Sequence, residues 1–300
     1  MVSGGFSTGA DKRQIALFSL CADDFGLSEG VSRGILSALA AERLSAISVM
    51  TTRPNWRAAA RDLAASAHMT DLGLHLNLTL AAPLTPMPKL APAGSLPPIA
   101  DLLSAAQAGR LEEDDVCLEI AEEIAAQLYA FAVAFGRFPD FLDGHQHVHV
   151  LPGVRKALFA ILQKKGLRGR LWLRDPGDHP WRILRRKIGI KKALEISKLA
   201  RPFVDEAHSY GFAVNEGFSG YSAAAKRRDY AADFAHYLIA PGPAHLIMCH
   251  PGHVDDDLMR LNSKTRSREY ELAFLLSSCF DECLEQHGAA LGRFTGPARR

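Results

Sequence analysis

Residues 15–28 read IALFSLCADDFGLS, and this stretch decides how the chain folds. Its first half is a short apolar run, which is typical of a strand buried on both faces. Two adjacent aspartates, Asp23 and Asp24, stand where the apolar run stops. Residues 29–44 then carry apolar side chains at helical spacing, and residues 45–50 form a second apolar run. The pattern predicts a β–α–β unit whose first strand leads into a pair of carboxylates.

The same alternation continues through most of the chain. Further strands are predicted at 71–78, 140–150, 170–175, 211–214 and 244–252, and further helices at 55–67, 112–135, 152–166, 224–239 and 265–287, with a basic helical stretch that ends near 201. Such alternation predicts a parallel sheet, either a barrel or an open doubly wound sheet. No G-x-G-x-x-G or Walker lysine motif supports a nucleotide-binding fold. We therefore predict an α/β chain with a loose tail at 1–14 and a single (β/α) barrel-like domain at 15–300.

Composition restricts the kind of protein. The 300 residues carry a formal net charge of +2, so no global field favours nucleic acid as a partner. The five cysteines are odd in number and include no Cys-x-x-Cys pair, which argues against a disulfide scaffold. No apolar stretch approaches the roughly 20 residues that span a bilayer. We expect a cytoplasmic protein without a nucleic-acid partner.

Two segments between the predicted elements have unusual compositions. Residues 81–98 contain six prolines, which excludes a helix or a central strand and predicts a long loop. The segment from Lys164 to Arg201 has thirteen Lys or Arg residues against three acids. A solvated cationic helix is one interpretation of that charge. The other is an anionic partner: a sugar phosphate, a lipid-linked sugar, or a membrane surface contacted peripherally.

Histidines follow one predicted strand in a closely spaced set. His145, His147 and His149 alternate in the motif DGHQHVH, so an extended chain would point them to one side. Asp143 beside them can accept an imidazole N–H and fix its tautomer. Three alternating histidines next to an acid predict metal binding or catalysis, although not all three are expected to be ligands.

Two further histidines carry weaker signals when each is taken alone. His75 lies between two leucines in GLHLN, where a lone histidine is more often a satisfied core residue. His250 follows the apolar run AHLIMC, and a Pro-Gly pair turns the chain directly after it. Because the chemistry of a barrel lies where its strands end, these residues are expected near Asp23 and Asp24.

The two adjacent carboxylates of the aspartate pair favour a bound cation. Two bare carboxylates in contact would push one pKa strongly upward. If a divalent ion is held by one of the two carboxylates together with histidines, the other carboxylate stays ionised beside it as a base. The ion lowers the pKa of its water and polarises a carbonyl, which is what hydrolysis of an amide or ester requires.

The motifs ADDFGLS, GLHLNLT, DGHQHVH, WLRDP and HPGHVDDDL, the last followed by SREYELAFL, occur in this order between about residues 15 and 280. In this order they resemble the YdjC-like carbohydrate deacetylases, a family that includes chitooligosaccharide and hopanoid-associated deacetylases. The resemblance implies a distorted TIM-type barrel. It also implies a hydrolase that removes an N-acetyl group from an amino sugar, in an oligosaccharide, a sugar phosphate or a lipid-linked glycan.

The resemblance further implies a role for each matching residue. The ligands of a divalent ion, Mg²⁺ or Zn²⁺, would be Asp24, His75 and His145. Asp23 would be the base that activates water, and His250 the acid that protonates the departing amine. Contacts with the substrate would come from Arg174, His147 and Asn77.

Two alternatives stay open at the level of sequence. Metal-dependent barrels also include sugar isomerases and phosphohydrolases, although a two-metal phosphatase site needs more ligands than one Asp and two His. The second alternative is a non-catalytic sugar-binding protein on a decayed barrel. The presence of all the candidate catalytic and metal-binding residues argues against this alternative. They are Asp23, Asp24, His75, His145 and His250.

Overall fold

The computed structural model describes residues 16–222, 229–261 and 266–294. Within these ranges the strands are β1 (Ala16–Phe25), β2 (Ala46–Val49), β3 (Asp71–Leu76), β4 (Phe141–Gly144), β5 (Trp172–Leu173), β6 (Ala213–Val214), β7 (Phe218–Ser219), β8 (His245–Cys249) and β9 (Ala289–Leu291). The helices are α1 (Glu29–Ala40), α2 (Trp56–Ala64), α3 (Ile99–Gln107), α4 (Asp114–Phe135), α5 (Val154–Lys164), α6 (Pro180–Arg186), α7 (Ile190–Ser209), α8 (Tyr230–Tyr237), α9 (Asp256–Leu261), α10 (Arg266–Leu275) and α11 (Ser278–His287). The predicted tail at 1–14 lies outside the described residues, as do the first residues of the helices predicted at 224–239 and 265–287.

One curled parallel sheet organises these elements. Its strands follow the order β6-β5-β4-β3-β2-β1-β8-β7, and β9 pairs with the start of β1. The end strands β6 and β7 are separated in the chain only by residues 215–217, so the sheet curls back on itself. Asn215 joins the two ends, since its Oδ1 accepts from the Asp175 N–H at 2.8 Å and its Nδ2 donates to the Gly217 carbonyl at 3.1 Å. The predicted α/β class and distorted TIM-type barrel are confirmed.

The boundaries of the strands differ from the prediction at the two places that matter for the site. Strand β1 does not stop before the aspartate pair but continues through it to Phe25. Strand β4 ends at Gly144, so the histidine motif is a tight 3-10 turn and not an extended chain. Helix α3 and strands β7 and β9 were not predicted, and the two strands are only two and three residues long, too short for a periodic pattern.

The alternation of side chains along the strands divides the core into two parts. Phe141 and Trp172 stack on each other at 4.4 Å on one face of the sheet, together with Cys21 of β1. Their strand neighbours, such as Leu20 and Leu142, belong to the larger cluster that packs against the helices. This is the arrangement of a sheet covered on both faces, which explains why its strands read as continuous apolar runs.

The proline-rich segment 81–98 contains neither helix nor strand, as predicted, and two acids of α4 hold it in place. Glu123 is fully buried and accepts from the N–H groups of Leu84 and Thr85 at 2.8–3.0 Å. Glu119, one turn earlier on α4, accepts from the N–H groups of residues 89 and 90 at 2.9–3.2 Å. A proline has no N–H, and the two carboxylates together accept from four of the backbone N–H groups that the loop does have.

Replacing Glu123 with glutamine should loosen this loop. The amide keeps the shape of the carboxylate but has one acceptor oxygen fewer, so its N–H donors face either the loop N–H groups or the side-chain amide of Gln127, leaving buried donors without an acceptor. We expect a loss of about 1–3 kcal/mol in the free energy of unfolding in urea, and faster protease cleavage within 81–98. Glu122→Gln is the matched control, because Glu122 is exposed on the same helix. Equal protease resistance in both variants would contradict the clamp.

Two expectations about the whole chain can be compared with the structure. None of the five cysteines forms a disulfide. Among the described residues, no helix is both long and apolar enough to cross a bilayer.

Candidate active site

A β-bulge in β1 lets both aspartates serve one site. Neighbouring residues of a regular strand point to opposite faces. The pairing of β1 with β2 slips between Ala22 and Phe25, and Asp24 adopts a left-handed backbone with φ of 70°. The bulge redirects the chain so that Asp24 bonds to His145, which follows β4, and Asp23 bonds to Arg174, which follows β5. The bulge therefore explains how two adjacent carboxylates reach the same interior.

Asp24 is the centre of the first group of contacts. Its Oδ1 lies 3.2 Å from Nε2 of His75 and 2.9 Å from Nδ1 of His145, and its Oδ2 accepts from Arg268. Burial raises the pKa of Asp24, but the charges of His145 and Arg268 outweigh burial and hold the pKa well below its usual value. The structure thus brings together the three residues that were predicted to bind metal.

Asp143 orients His75 from behind. Its Oδ1 lies 2.7 Å from Nδ1 of His75 and also accepts from the Ser48 hydroxyl at 2.5 Å. Burial lowers the pKa of His75, but the carboxylates of Asp143 and Asp24 outweigh burial and raise the pKa to about 10. Asp143 was expected to orient a histidine of its own motif, and that expectation is wrong because β3 and β4 pair with His75 directly opposite Asp143.

Asp23 forms a second group of contacts with Arg174. Both carboxylate oxygens accept from the guanidinium at 2.6 Å, and the same guanidinium lies 2.6 Å from Asp143. Burial raises the pKa of Asp23, but Arg174 outweighs burial and lowers the pKa to about 2. Asp23 is therefore ionised and fixed in orientation, and the like charges of the aspartate pair are separated by having different cationic partners.

The alternating histidines do not share one side, contrary to the expectation for an extended chain. Gln146 and His147 adopt left-handed backbone conformations, with φ of 54° and 61°, which turn successive imidazoles apart. His145 alone bonds to Asp24. His149 lies fully buried and its Nε2 bonds to the carbonyl of Arg174 at 2.8 Å, a structural contact.

His147 lies on the other side of the site, against Tyr221. Its Nε2 is 3.2 Å from the Tyr221 hydroxyl, which also donates to the Pro176 carbonyl at 2.8 Å. Burial lowers the pKa of His147 well below its usual value, so the imidazole is neutral near pH 7. The predicted substrate contact of His147 stays a prediction.

His250 stands at the end of β8 and is partly exposed. Its backbone N–H donates to Glu271 of α10 at 2.6 Å, which fixes the turn that follows the strand. Burial lowers the pKa of the imidazole below its ordinary value of 6.5, and the charges of Asp24, Glu271 and Asp23 offset only part of that effect. Strand β8 pairs with β1, which carries the two aspartates, so His250 follows the strand next to theirs, and its role as an acid stays a prediction.

Arg174 and Asn77 are placed differently from what a substrate contact requires. The side chain of Arg174 is 0% exposed and its guanidinium bonds to protein groups. Asn77 is also fully buried, where its Nδ2 donates to Thr52 and to the Leu80 carbonyl at 2.7–2.8 Å. Its Oδ1 accepts two backbone N–H groups of the loop after β3. These contacts give Arg174 a positioning role and Asn77 a role in shaping that loop.

The residues fit a divalent cation between Asp24, His75 and His145. Their ligand atoms all lie within 4.8 Å of one another, and they are the mixed oxygen and nitrogen donors that Zn²⁺ and Mg²⁺ sites use. Two guanidiniums, of Arg174 and Arg268, face the buried carboxylates of Asp23, Asp24 and Asp143, and without a metal ion a protonated His75 with a pKa of about 10 supplies the third positive charge, which a divalent ion would replace. A similar group, Cys21 with Asp23 and Asp143, already surrounds the guanidinium of Arg174.

Sequence reasoning missed three contributors to this site. Arg268 donates a hydrogen bond to the Oδ2 of Asp24 although the two residues are 244 positions apart. Ser48 donates a hydrogen bond to Asp143, and Glu271 accepts one from the backbone N–H of His250. Arg268 and Glu271 lie within the SREYELAFL motif and Ser48 lies in the predicted second strand, but neither pattern assigned them a role, and only the fold brings them to the site.

A parallel barrel with a carboxylate–imidazole centre at the carboxyl ends of its strands defines the general class of α/β-barrel enzyme sites. Within that class the family is shown by comparison of sequences. A profile of the YdjC-like protein family matches residues 18–286. The chain belongs to this family, and the resemblance drawn from the motifs is confirmed.

Individual relatives agree with the family assignment. Chitooligosaccharide deacetylases of Yersinia pestis (strain Pestoides F) and Yersinia pseudotuberculosis (serotype O:1b, strain IP 31758) are each 32% identical over 275 residues, which is 91% of this chain and 96% of theirs. A crystal structure of a putative cellobiose-phosphate cleavage protein from Enterococcus faecalis V583 superposes with a TM-score of 0.69. It is 22% identical and covers 93% of this chain and 98% of its own, so it supports the fold alone.

Proposed function

We propose that this protein is a carbohydrate N-deacetylase that hydrolyses the acetamide of an N-acetylated amino sugar. The observation that carries the proposal is the meeting of Asp24, His75 and His145 beside an ionised, arginine-bound Asp23. Relatives of nearly the same length are named chitooligosaccharide deacetylases, which supports an oligosaccharide of N-acetylglucosamine type as the substrate.

Three residues are proposed to hold the divalent ion: Asp24, His75 and His145. When bound, the ion supplies the positive charge that acidifies a water molecule and polarises an acyl oxygen. Arg268 and Asp143 hold the outward atoms of Asp24 and His75, so that the remaining oxygen and nitrogen face each other at 3.2 Å. Such outer contacts fix ligand orientation and tautomer.

Asp23 is proposed to take the proton of the attacking water. Arg174 binds both carboxylate oxygens and so sets the direction of their remaining lone pairs. With a pKa of about 2 the carboxylate is a weak base, so it can accept a proton only from a strongly acidified water. A fixed, always ionised carboxylate suits that role, because no reorganisation is needed when the proton moves.

His250 is proposed to protonate the leaving nitrogen. As water adds to the acetyl carbon and the C–N bond breaks, the amine must gain a proton and acetate departs. The imidazole must be charged to give that proton. Burial outweighs the charges of Asp24, Glu271 and Asp23 and leaves the pKa of His250 below its ordinary 6.5, so the charged, proton-donating form is the minor one near pH 7. The water therefore loses a proton on the side of Asp23, and the amine gains one on the side of His250.

The test is acetate release from a panel of N-acetylated sugars, free, phosphorylated and lipid-linked, with and without a chelator. We expect acetate from at least one N-acetylglucosamine oligosaccharide, loss of activity with the chelator, and recovery with Mg²⁺ or Zn²⁺. Release of phosphate without acetate would favour a phosphohydrolase. Sugar binding without any product, in the presence of metal, would favour a non-catalytic protein.

A further inference from the structure

A surface that combines apolar and cationic side chains lies on α6 and the first turn of α7. Trp181 and Leu184 are 48% and 54% exposed and sit three residues apart on α6. Three cations, Arg185, Lys187 and Lys191, are exposed beside them. These five residues are called the basic ledge below.

The basic ledge is distinct from the structural arginines of the same stretch. Arg182 and Arg186 both bond to Asp178, at 3.2 and 2.6 Å, and Arg186 also donates to backbone carbonyls. Within the part of the chain that the structure describes, no acid pairs with Arg185 or Lys187. Lys191 approaches Glu195 only at 4.0 Å with both side chains mostly exposed, so this pair neutralises little.

The basic ledge borders the proposed active site. Helix α6 begins six residues after Arg174, on the loop that leaves the carboxyl end of β5. On the first turn of α7, the Lys192 ammonium lies 5.5 Å from the centroid of the Tyr221 ring. The Tyr221 hydroxyl in turn contacts His147 at 3.2 Å. The segment that carries the ledge is therefore linked to the proposed active site through Lys192, Tyr221 and His147.

We propose that the basic ledge docks on an anionic lipid surface. A tryptophan ring partitions to the level of the lipid headgroups, and a neighbouring leucine adds apolar area. Exposed cations around them are attracted to acidic headgroups. A single soluble phosphate is a poorer match, because it makes no use of the exposed apolar area of Trp181 and Leu184. The docking goes beyond the proposed hydrolysis and does not depend on it.

Vesicle sedimentation with the full chain tests the docking. We expect binding to vesicles of phosphatidylcholine with phosphatidylglycerol, little binding to phosphatidylcholine alone, and release at high salt. Arg185→Glu with Lys187→Glu should lower the partition coefficient at least about tenfold. Trp181→Ala with Leu184→Ala should lower it several-fold without changing the salt dependence. Lys164→Glu with Lys165→Glu is the matched control, because these residues are exposed at the end of α5 and lie away from α6.

Several outcomes would overturn the docking. Equal binding to neutral vesicles, or equal losses in the α5 control and the ledge variant, would show that the ledge is not the contact. Relief of vesicle binding by inorganic phosphate at constant ionic strength would assign the cations to a soluble anion. Acetate release from a water-soluble chito-oligosaccharide is measured in parallel and should be unchanged in the ledge variants, so that failure of docking and failure of the proposed hydrolysis are told apart.

Discussion

Asp23→Asn should leave the protein able to bind its metal ion but lower kcat by about 10²- to 10⁴-fold, and added metal should not restore it. The amide keeps the size of the side chain and can still accept from Arg174 through its oxygen. It cannot accept the proton of the attacking water. Because Asp23 is absent from the proposed ligand set, the affinity for metal should change little.

Asp24→Asn should show the opposite pattern. Asp24 supplies the only anionic oxygen among the three proposed ligands, and its replacement by a neutral amide weakens the attraction for a dication. We expect a fall in metal affinity of at least about tenfold, and partial recovery of turnover when metal is supplied in excess. His145→Ala should likewise lose bound metal.

Comparing Asp23→Asn with Asp24→Asn distinguishes the proposed base from the proposed metal ligand, because the two substitutions are adjacent and change the side chains in the same way. Metal content is measured by elemental analysis after dialysis, and kcat over a series of metal concentrations. Asp71→Asn is the control for removing a buried acid, since Asp71 is fully buried and accepts from Arg293 at the opposite end of β3 from His75. An Asp23→Asn protein that has lost its metal, or an Asp24→Asn protein that keeps it, would reverse the assigned roles.

The chemistry of the site could be predicted from the sequence because it depends on residue types near strand ends. The motifs around Asp24, His75 and His145 lie at the carboxyl ends of β1, β3 and β4 of one parallel sheet, and these ends meet at one edge. The alternation of strands and helices was sufficient to predict that edge. Which residues bond to which depends on geometry that alternation does not contain.

Three features were beyond the reach of a periodic pattern. The bulge in β1 adds one residue relative to β2, and no residue type in this stretch predicts a bulge. The left-handed turn at Gln146 and His147 uses non-glycine residues, so the expected extended chain was wrong there. Arg174 was expected at the substrate, but its surroundings are two carboxylates of other strands, which only the register of the sheet brings beneath it.

Arg174→Met should be strongly destabilising and should also inactivate the protein. The guanidinium is fully buried and bonds to both Asp23 and Asp143, so its removal leaves two carboxylates in the interior without that cation. Removal of one partner from a buried pair costs about 3–5 kcal/mol. Arg137→Met is the matched control, because Arg137 binds Asp140 through two hydrogen bonds at 2.7 and 2.9 Å on an exposed surface. Its loss should cost less than about 1 kcal/mol.

The dependence of this loss on pH distinguishes the missing charge from simple loss of packing. In the wild-type fold, burial raises the pKa of Asp23, but Arg174 outweighs burial and lowers the pKa from the ordinary 3.8 to about 2. A lowered carboxyl pKa adds stability above the ordinary value, and this stability is lost as the pH falls through the folded pKa. In Arg174→Met burial remains and the guanidinium is gone, so the folded pKa of Asp23 should lie above 3.8. The folded variant then binds a proton more tightly than its unfolded chain does.

The free-energy difference between wild type and Arg174→Met should therefore shrink as the pH falls from about 7 to about 4. Urea unfolding at several pH values, with a chelator present throughout, measures it without any contribution from metal. A lost packing contact has no proton to bind, so it would give the same difference at every pH. A difference that stays constant would mean that Arg174 fills space beneath Asp23 and does not hold its charge, and the fixed, ionised base of the proposed reaction would lose its physical support.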